Sequence, residues 1–343
     1  MFTSVTIKNF RLFEQLTINN LKRLNLFVGK NNAGKTAILE SIFLLTSPKN
    51  IQLNLNINAF RGLIVSPANI EYIIQSLFKN MDTKKEIELT ATLKNKITKT
   101  RKITIIPYQN TNITYQNPSL DTPIQTIKGL KSISKYDQQE IITYLITHEN
   151  NFEIKTEGNT FNEEFHGIFL NAQTRNTPGL PQMFSKIIIE KKKKDIIEIL
   201  KKIDPSIKDL EIGGDGIIYC DTGLPKLFPI NLMGDGIVKL LSILTAMYNY
   251  KNGIVIIDEI ENGLHYSSLK SLWSGINEAS KKFNVQVFAT THSWECLEAF
   301  SKTLKNENDI KLYRIDKNEE NFKIVEYENE LINLSLQNNW ELR

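Results

Sequence analysis

Three stretches of this chain are apolar at consecutive positions, and each runs straight into residues able to do chemistry. Leu-Asn-Leu-Phe-Val at 24–28 has the pattern of a buried strand. A glycine-bearing turn follows it, and then a helix to residue 45 with apolar Ala37, Ile38, Leu39, Ile42 and Leu45. Segment 253–282 opens with a second buried strand, Ile-Val-Ile-Ile. It continues as a helix on which Leu269, Leu272, Trp273, Ile276 and Ala279 recur at spacings of three and four. Val-Gln-Val-Phe-Ala-Thr-Thr at 285–291 supplies a third strand and completes a strand, helix, strand unit. Continuous β-branched runs of this kind belong to parallel sheets covered on both faces. The pattern predicts an α/β fold with a mainly parallel core sheet.

Between residues 47 and 164 the pattern changes. Asn, Thr, Lys and Ile dominate, and EIELTATLKN and KTRKITIIPYQNTNITYQ alternate apolar with polar positions. This predicts an inserted antiparallel, β-rich lobe with short helices at 47–164, inside a core made of 1–46 and 165–343. Residues 187–203 are expected to form one lysine-rich helix that stops ahead of Pro205. No internal repeat stands out, and no stretch is long and periodic enough for an extended coiled coil.

Composition narrows the classes without choosing one. With 343 residues, 41% hydrophobic and 23% charged, the chain has ordinary globular content and length enough for a large core. A net charge of +4 permits contact with nucleic acid but does not argue for it. Cys220 and Cys296 are far apart, so neither a disulfide framework nor a cysteine metal site is expected, which suits a reducing cytoplasm. Charged and polar residues break every apolar run of the opening MFTSVTIKNFRLFEQ, unlike a signal peptide. The longest apolar runs are strand-length, and no membrane span is expected.

The turn after the first strand carries the strongest signal. Gly29, Lys30, Asn31, Asn32, Ala33, Gly34, Lys35 and Thr36 fit G-x-x-x-x-G-K-[ST], with a strand ending at Val28 and a helix opening at Lys35. Glycines let backbone N–H groups turn inward around phosphates, toward which the helix directs its positive end. Lys35 is expected to reach the β- and γ-phosphates of ATP, and the Thr36 hydroxyl to ligate Mg²⁺.

The second strand ends in Asp258 and Glu259. Ligands of open parallel sheets sit at the C-terminal strand edge. Asp258 is placed to hold the metal, and Glu259 to orient and polarise the attacking water, which is what phosphoryl transfer asks of a protein. His292 follows the third strand in ATTHS and would lie beside Glu259 if the two strands are neighbours, within reach of the γ-phosphate or the water. Gln173, in FLNAQTR, is a further candidate contact to metal or water, with a plain surface-loop glutamine as its rival. No N-K-x-D motif for reading guanine is present.

In this order the motifs resemble those of ATP-binding-cassette ATPases of the SMC, RecF and OLD group, in particular compact bacterial AAA-type proteins related to the OLD ATPases. VTIKNFRLFEQLTI and LNLFVGKNNAGKTAILESI look like that group's opening strands and Walker A. IVIIDEIENGLH looks like its Walker B and D-loop, and VQVFATTHSWECLEAF like its switch-histidine strand. The resemblance covers residues 2–45 and 169–300. It implies a P-loop nucleoside triphosphatase fold of the ATP-binding-cassette type, with Glu259 as base and His292 as switch. Arg11, in the NFR stretch, matches a basic position near the nucleotide in that group. The group's L-S-G-G-Q signature turn corresponds to residues 232–236, which implies that Gly234 and Gly236 bind the ATP held by a second protomer. Here Met233 replaces the serine and Asp235 sets a carboxylate near the phosphates.

The resemblance therefore implies a homodimer closing on ATP. Long coiled coils and an appended Toprim nuclease, known in that group, do not match the short strand-rich insertion or a tail without clustered acids. The expected role is a Mg-dependent ATPase acting as an ATP-gated dimeric clamp or switch in DNA repair or antiphage defence, with a separately encoded effector, a nuclease or toxin. The alternative is a regulatory module that restrains or licenses such a partner without touching DNA. A membrane transporter cassette fits less well. Two basic segments bear on DNA. Lys191–Lys194 with Lys201 and Lys202 are interleaved with acids, and residues 94–102, if on a strand, would project alternate cations together.

Overall fold

The computed structural model describes residues 1–107, 127–148, 151–158, 166–171, 179–319, 321–328 and 332. Its elements begin with β1 (Phe2–Phe10), β2 (Phe13–Ile18), β3 (Leu24–Val28), α1 (Lys35–Thr46), α2 (Leu53–Ala59) and α3 (Ile70–Gln75). Five strands follow: β4 (Ile87–Leu93), β5 (Thr98–Pro107), β6 (Ile127–Tyr136), β7 (Gln139–Thr147) and β8 (Phe152–Gly158). Next come β9 (Gly167–Leu170), α4 (Leu180–Ile189), α5 (Lys193–Leu200), β10 (Asp209–Ile212), β11 (Ile218–Asp221) and β12 (Phe228–Pro229). The chain continues through α6 (Asp235–Asn249), β13 (Ile254–Ile257), α7 (Leu269–Lys282), β14 (Gln286–Thr290), α8 (Trp294–Leu304), β15 (Ile310–Asn318) and β16 (Asn321–Tyr327).

These elements form two compact units, one from Asn20–Leu39 and Glu164–Arg343, the other from Phe2–Asn19 and Glu40–Glu163. The first contains a six-stranded sheet in the order β16-β15-β3-β14-β13-β9, with a small antiparallel sheet of β10, β11 and β12. From β15 to β9 the large sheet is parallel, and only β16 runs against its neighbour. Every residue of β3, β13 and β14 is buried, which is why these strands are apolar at consecutive positions rather than alternately. Helix α7 buries Leu269, Leu272, Trp273, Ile276 and Ala279, the stripe that its periodicity predicts. The Trp273 ring meets Phe300 of α8 edge-on at 4.8 Å, and its indole N–H donates to Cys296 O. Truncating such a buried indole costs about 3–5 kcal/mol. This contact locks together the two helices that bracket β14 and so steadies the turn that carries His292.

The second unit is built on a seven-stranded antiparallel sheet in the order β2-β1-β4-β5-β6-β7-β8. The expected domain division gave the opening strands to the ATPase core. In the structure β1 pairs with β4 from Val5 opposite Ala91 to Lys8 opposite Glu88, so these strands belong to the lobe's sheet.

Two further expectations are corrected. Residues 187–203 form not one helix but two. Helix α4 ends because Lys191 takes a left-handed φ of 56°. There Lys192 N donates to Ile187 O and Lys191 N to Ile188 O, a Schellman stop. The basic segment at 94–102 is a turn, with Lys94 and Lys96 exposed, leading into β5, and it does not turn all its cations to one outward face. Lys99 and Arg101 share a face with Ile103 and are buried, while Lys102 pairs with Glu86. Arg101, only 1% exposed, donates to Leu44 O, Ser47 O and Asn50 O at 2.7–3.2 Å and to the Ser132 hydroxyl at 3.1 Å. It thus caps the negative end of α1. Burial pushes its pKa down to about 10.

Candidate active site

The loop between β3 and α1 has the backbone of a phosphate cradle. Gly29 has φ 146° and Gly34 φ 92°, both outside the range of ordinary side chains, and Asn32 is left-handed at φ 60°. A Cβ at Gly29 would lie 2.7 Å from Ile315 O, so this position needs glycine for space as well as for φ. The Lys35 ammonium donates to Gly29 O at 2.6 Å and Lys30 O at 2.9 Å, which folds its side chain along the loop that it is to serve. Lys35 is 4% exposed. Burial pushes its pKa down to about 8, against the opposing pull of Asp258, Glu259 and Glu261.

Asp258 and Glu259 stand just past the C-terminal end of β13. The Thr36 hydroxyl donates to Asp258 Oδ2 at 3.0 Å, which brings the loop and the strand end together in one site. Asp258 is 8% exposed, and its other oxygen accepts from the Thr290 hydroxyl at 2.6 Å. Thr290 also accepts from Glu259 N at 2.8 Å and, through its carbonyl, from Ile260 N at 3.0 Å. Those bonds hold Glu259 at φ 47°, a left-handed backbone that a non-glycine residue adopts at a cost of roughly 1–3 kcal/mol. Because β13 and β14 are neighbours, His292 Nε2 comes to 3.8 Å from Glu259 Oε1. Glu261 Oε1 accepts from the backbone of His292 at 2.7 Å and of Ser293 at 3.1 Å.

A hydroxyl and a carboxylate oxygen 3.0 Å apart, beside a loop shaped for phosphate, suit Mg²⁺. That ion prefers oxygen ligands and binds through one or two carboxylates plus substrate phosphates. Thr36 and Asp258 are the groups that would hold it.

Gln173 lies outside the described residues. Arg11, at the turn between β1 and β2, donates to Glu40 Oε2 at 3.1 Å and to Ser76 O at 3.1 Å, while Glu40 also accepts from Arg61. Gly234 caps the start of α6, and a Cβ there would meet nothing within 4 Å, whereas one at Gly236 would come within 3.1 Å of Ser268 Oγ. Sequence reasoning missed Thr290, Glu261 and Lys239. The signal for Thr290 was a polar residue closing an apolar strand, but its partner sits 32 residues away in the chain.

A parallel sheet with a glycine-rich loop entering a helix, opposite an acidic strand end, defines a P-loop nucleoside triphosphatase. Residues 1–297 match the AAA ATPase domain family, and the chain belongs to that family. It is accordingly an ATP hydrolase. An ATP/GTP phosphatase of Helicobacter pylori is 26% identical over 334 residues, covering 90% of each chain. Among solved structures, an SMC head bound to the C-terminal winged-helix domain of ScpA aligns over 95% of this chain and 97% of its own, with TM-score 0.51 and 12% identity. An SMC head with an extended coiled coil, bound to the C-terminal domain of ScpA derived from Pyrococcus furiosus, aligns over 98% and 99%, with TM-score 0.50 and 11% identity. The chain thus has the fold of the SMC head ATPases, with an antiparallel lobe, in line with its resemblance to the SMC, RecF and OLD group. Among the described residues no helix is long and apolar enough to cross a membrane.

Proposed function

We propose that this protein is a Mg-dependent, ATP-gated homodimeric switch that controls a separately encoded effector, a nuclease or toxin, in DNA repair or antiphage defence. The observation that carries the hydrolytic part is the chain of contacts from Thr36 through Asp258 and Thr290 to Glu259 and His292. In this reading residues 29–36 grip the triphosphate, with Lys35 on its terminal phosphates. Thr36 and Asp258 would hold Mg²⁺, which would supply charge neutralisation at those phosphates. Glu259 takes the proton of the attacking water as its oxygen bonds to the γ-phosphorus. The bond from that phosphorus to the bridging oxygen breaks, giving ADP and inorganic phosphate. His292 orients the water or the γ-phosphate, and Gln173 is a further candidate contact there. Arg11 braces, through Glu40, the helix that begins with Lys35 and Thr36.

The signature turn supports the dimer. Leu232 is 68% exposed and Tyr266 67%, in segments brought close where Gly236 meets Ser268. Among the described residues nothing lies within 4 Å of a Cβ at Gly234, as expected if Gly234 and Gly236 face the nucleotide of a second protomer.

The inward turn of Lys99 and Arg101 weakens the case for a DNA-facing lobe. Lys193 and Lys202 are likewise neutralised, by Asp209 with Glu211 and by Glu278. The DNA-clamp reading retains the exposed Lys94 and Lys96 in the turn before β5, and the exposed Lys191, Lys192 and Lys194. Light scattering of Glu259→Gln with and without Mg-ATP, alongside wild-type turnover of ATP and GTP with and without duplex DNA, tests both. A nucleotide-dependent dimer with DNA-indifferent turnover is expected. A monomer under all conditions overturns the switch, and strong stimulation by DNA favours the clamp.

A further inference from the structure

Glu261 occupies a position in the site that the hydrolytic scheme does not use. One of its carboxylate oxygens clamps two successive backbone amides, those of His292 and Ser293, at 2.7 and 3.1 Å. His292 is the residue whose ring must be held toward Glu259, and α8 starts immediately beyond, with Ser293 as its cap accepting from Cys296 N. The other oxygen, Oε2, is buried and has no hydrogen-bond partner among the described residues. A buried carboxylate with one oxygen unsatisfied needs a compensating charge nearby.

The candidate for that charge is on the neighbouring helix. Lys239 lies on α6, one turn beyond Gly236, whose Cα stands against Ser268 and Leu264 of the segment that follows Glu261. Among the described residues the Lys239 ammonium makes no hydrogen bond. Burial lowers its pKa, and the acids that oppose this are Glu261 first, then Glu259 and Asp258. Lys239 is half-buried and makes no direct ion pair with Glu261 among the described residues, so any coupling between them acts through charge across the junction of α6 with the strand end.

We propose that Glu261 is a positioning residue for His292 and that Lys239 is its partner in charge, so that the seat of α6 is felt at the switch histidine. The proposal rests on the hydrolytic reading of Glu259 and His292 given above. It gives the helix that starts at residues 232–236 a physical route to the catalytic strand end. Movement of α6 shifts Lys239 against Glu261, and Glu261 carries the shift to His292 through the two amides.

The test is a set of double-mutant cycles on the full-length protein, reading kcat at saturating Mg-ATP and the Kd of a non-hydrolysable ATP analogue. Glu261→Ala should lower kcat about tenfold, the scale of an ordinary coupling between contacting groups, and leave Kd within about twofold. The double variant with His292→Ala should fall no lower than His292→Ala alone. Glu261→Gln, which keeps a carbonyl oxygen for the two amides, should recover most of the loss, and Glu261→Met, similar in size but with no acceptor for the amides, carries the same cycle if the alanine variant does not fold. Lys239→Met should lower kcat by a similar factor in wild type and within about twofold in the Glu261 variant. Losses that multiply between Glu261 and His292, or wild-type kcat in Glu261→Ala, overturn the positioning role and leave the hydrolytic scheme standing. Equal losses for Lys239→Met in both backgrounds remove the lysine from the pair. Wild-type kcat in His292→Ala overturns the switch assignment itself, and this proposal with it.

Discussion

Replacing Thr290 by valine removes one hydroxyl from the site while keeping the shape of the side chain. In the structure that hydroxyl donates to Asp258 Oδ1 at 2.6 Å and accepts from Glu259 N at 2.8 Å, and Thr290 is fully buried. Valine leaves the Glu259 amide without an acceptor, at a cost of about 1–3 kcal/mol, and deletes a charge-assisted bond worth about 1.5–3 kcal/mol. The two effects share one group and are not additive, so the expected loss is about 2–4 kcal/mol. At roughly 1–2 °C per kcal/mol for a chain of 343 residues, Tm should fall by about 2–8 °C. Glu259 would also lose a restraint on its left-handed backbone, and each 1.4 kcal/mol of lost positioning is about a tenfold drop in rate. We expect kcat to fall about 10- to 100-fold, with nucleotide affinity changed far less. Thermal unfolding and phosphate release at saturating ATP measure both, and Thr290→Ser, which restores the hydroxyl, should recover most of each. A valine variant that melts within about 1 °C of wild type and turns over normally would refute the idea that Thr290 holds the two carboxylates.

Lys35→Ala should abolish tight Mg-ATP binding by calorimetry, since Lys35 is the cation folded into the loop; retained affinity would count against the cradle. Arg101→Leu leaves three carbonyls at the end of α1 without their charged donor, and should lower the denaturant midpoint by an amount equivalent to about 3 kcal/mol. An unchanged midpoint would show that water satisfies those carbonyls. Gly234→Ala adds a Cβ in open space, so Tm should hold to within about 2 °C while ATP-driven dimerisation weakens in light scattering. A normal dimer would free Gly234 from the interface.

What could be seen in the sequence was what is local. The buried parallel strands announce themselves because β3, β13 and β14 have no exposed residue, and the phosphate loop because its geometry is set by consecutive residues. Facing and partnership were harder. Residues 99, 101 and 103 share parity, and Ile103 sends all three inward, a choice that depends on the α1 carbonyls waiting for Arg101. Thr290 becomes a site residue only once β13 and β14 lie side by side, with Ile257 opposite Ala289. Glu261 binds the backbone amides of His292 and Ser293 on the next strand's turn, a pairing that no local spacing encodes. The split of 187–203 turns on one left-handed residue, Lys191, of a type that rarely marks a helix stop.

The most direct test of hydrolysis at this strand end compares Glu259→Gln with wild type for Mg-ATP affinity and single-turnover phosphate release. The substitution keeps the side chain's size and removes its capacity to take a proton. Wild-type affinity with release slowed at least about a hundredfold is the predicted result. Release at the wild-type rate would contradict the assignment of Glu259 as the base.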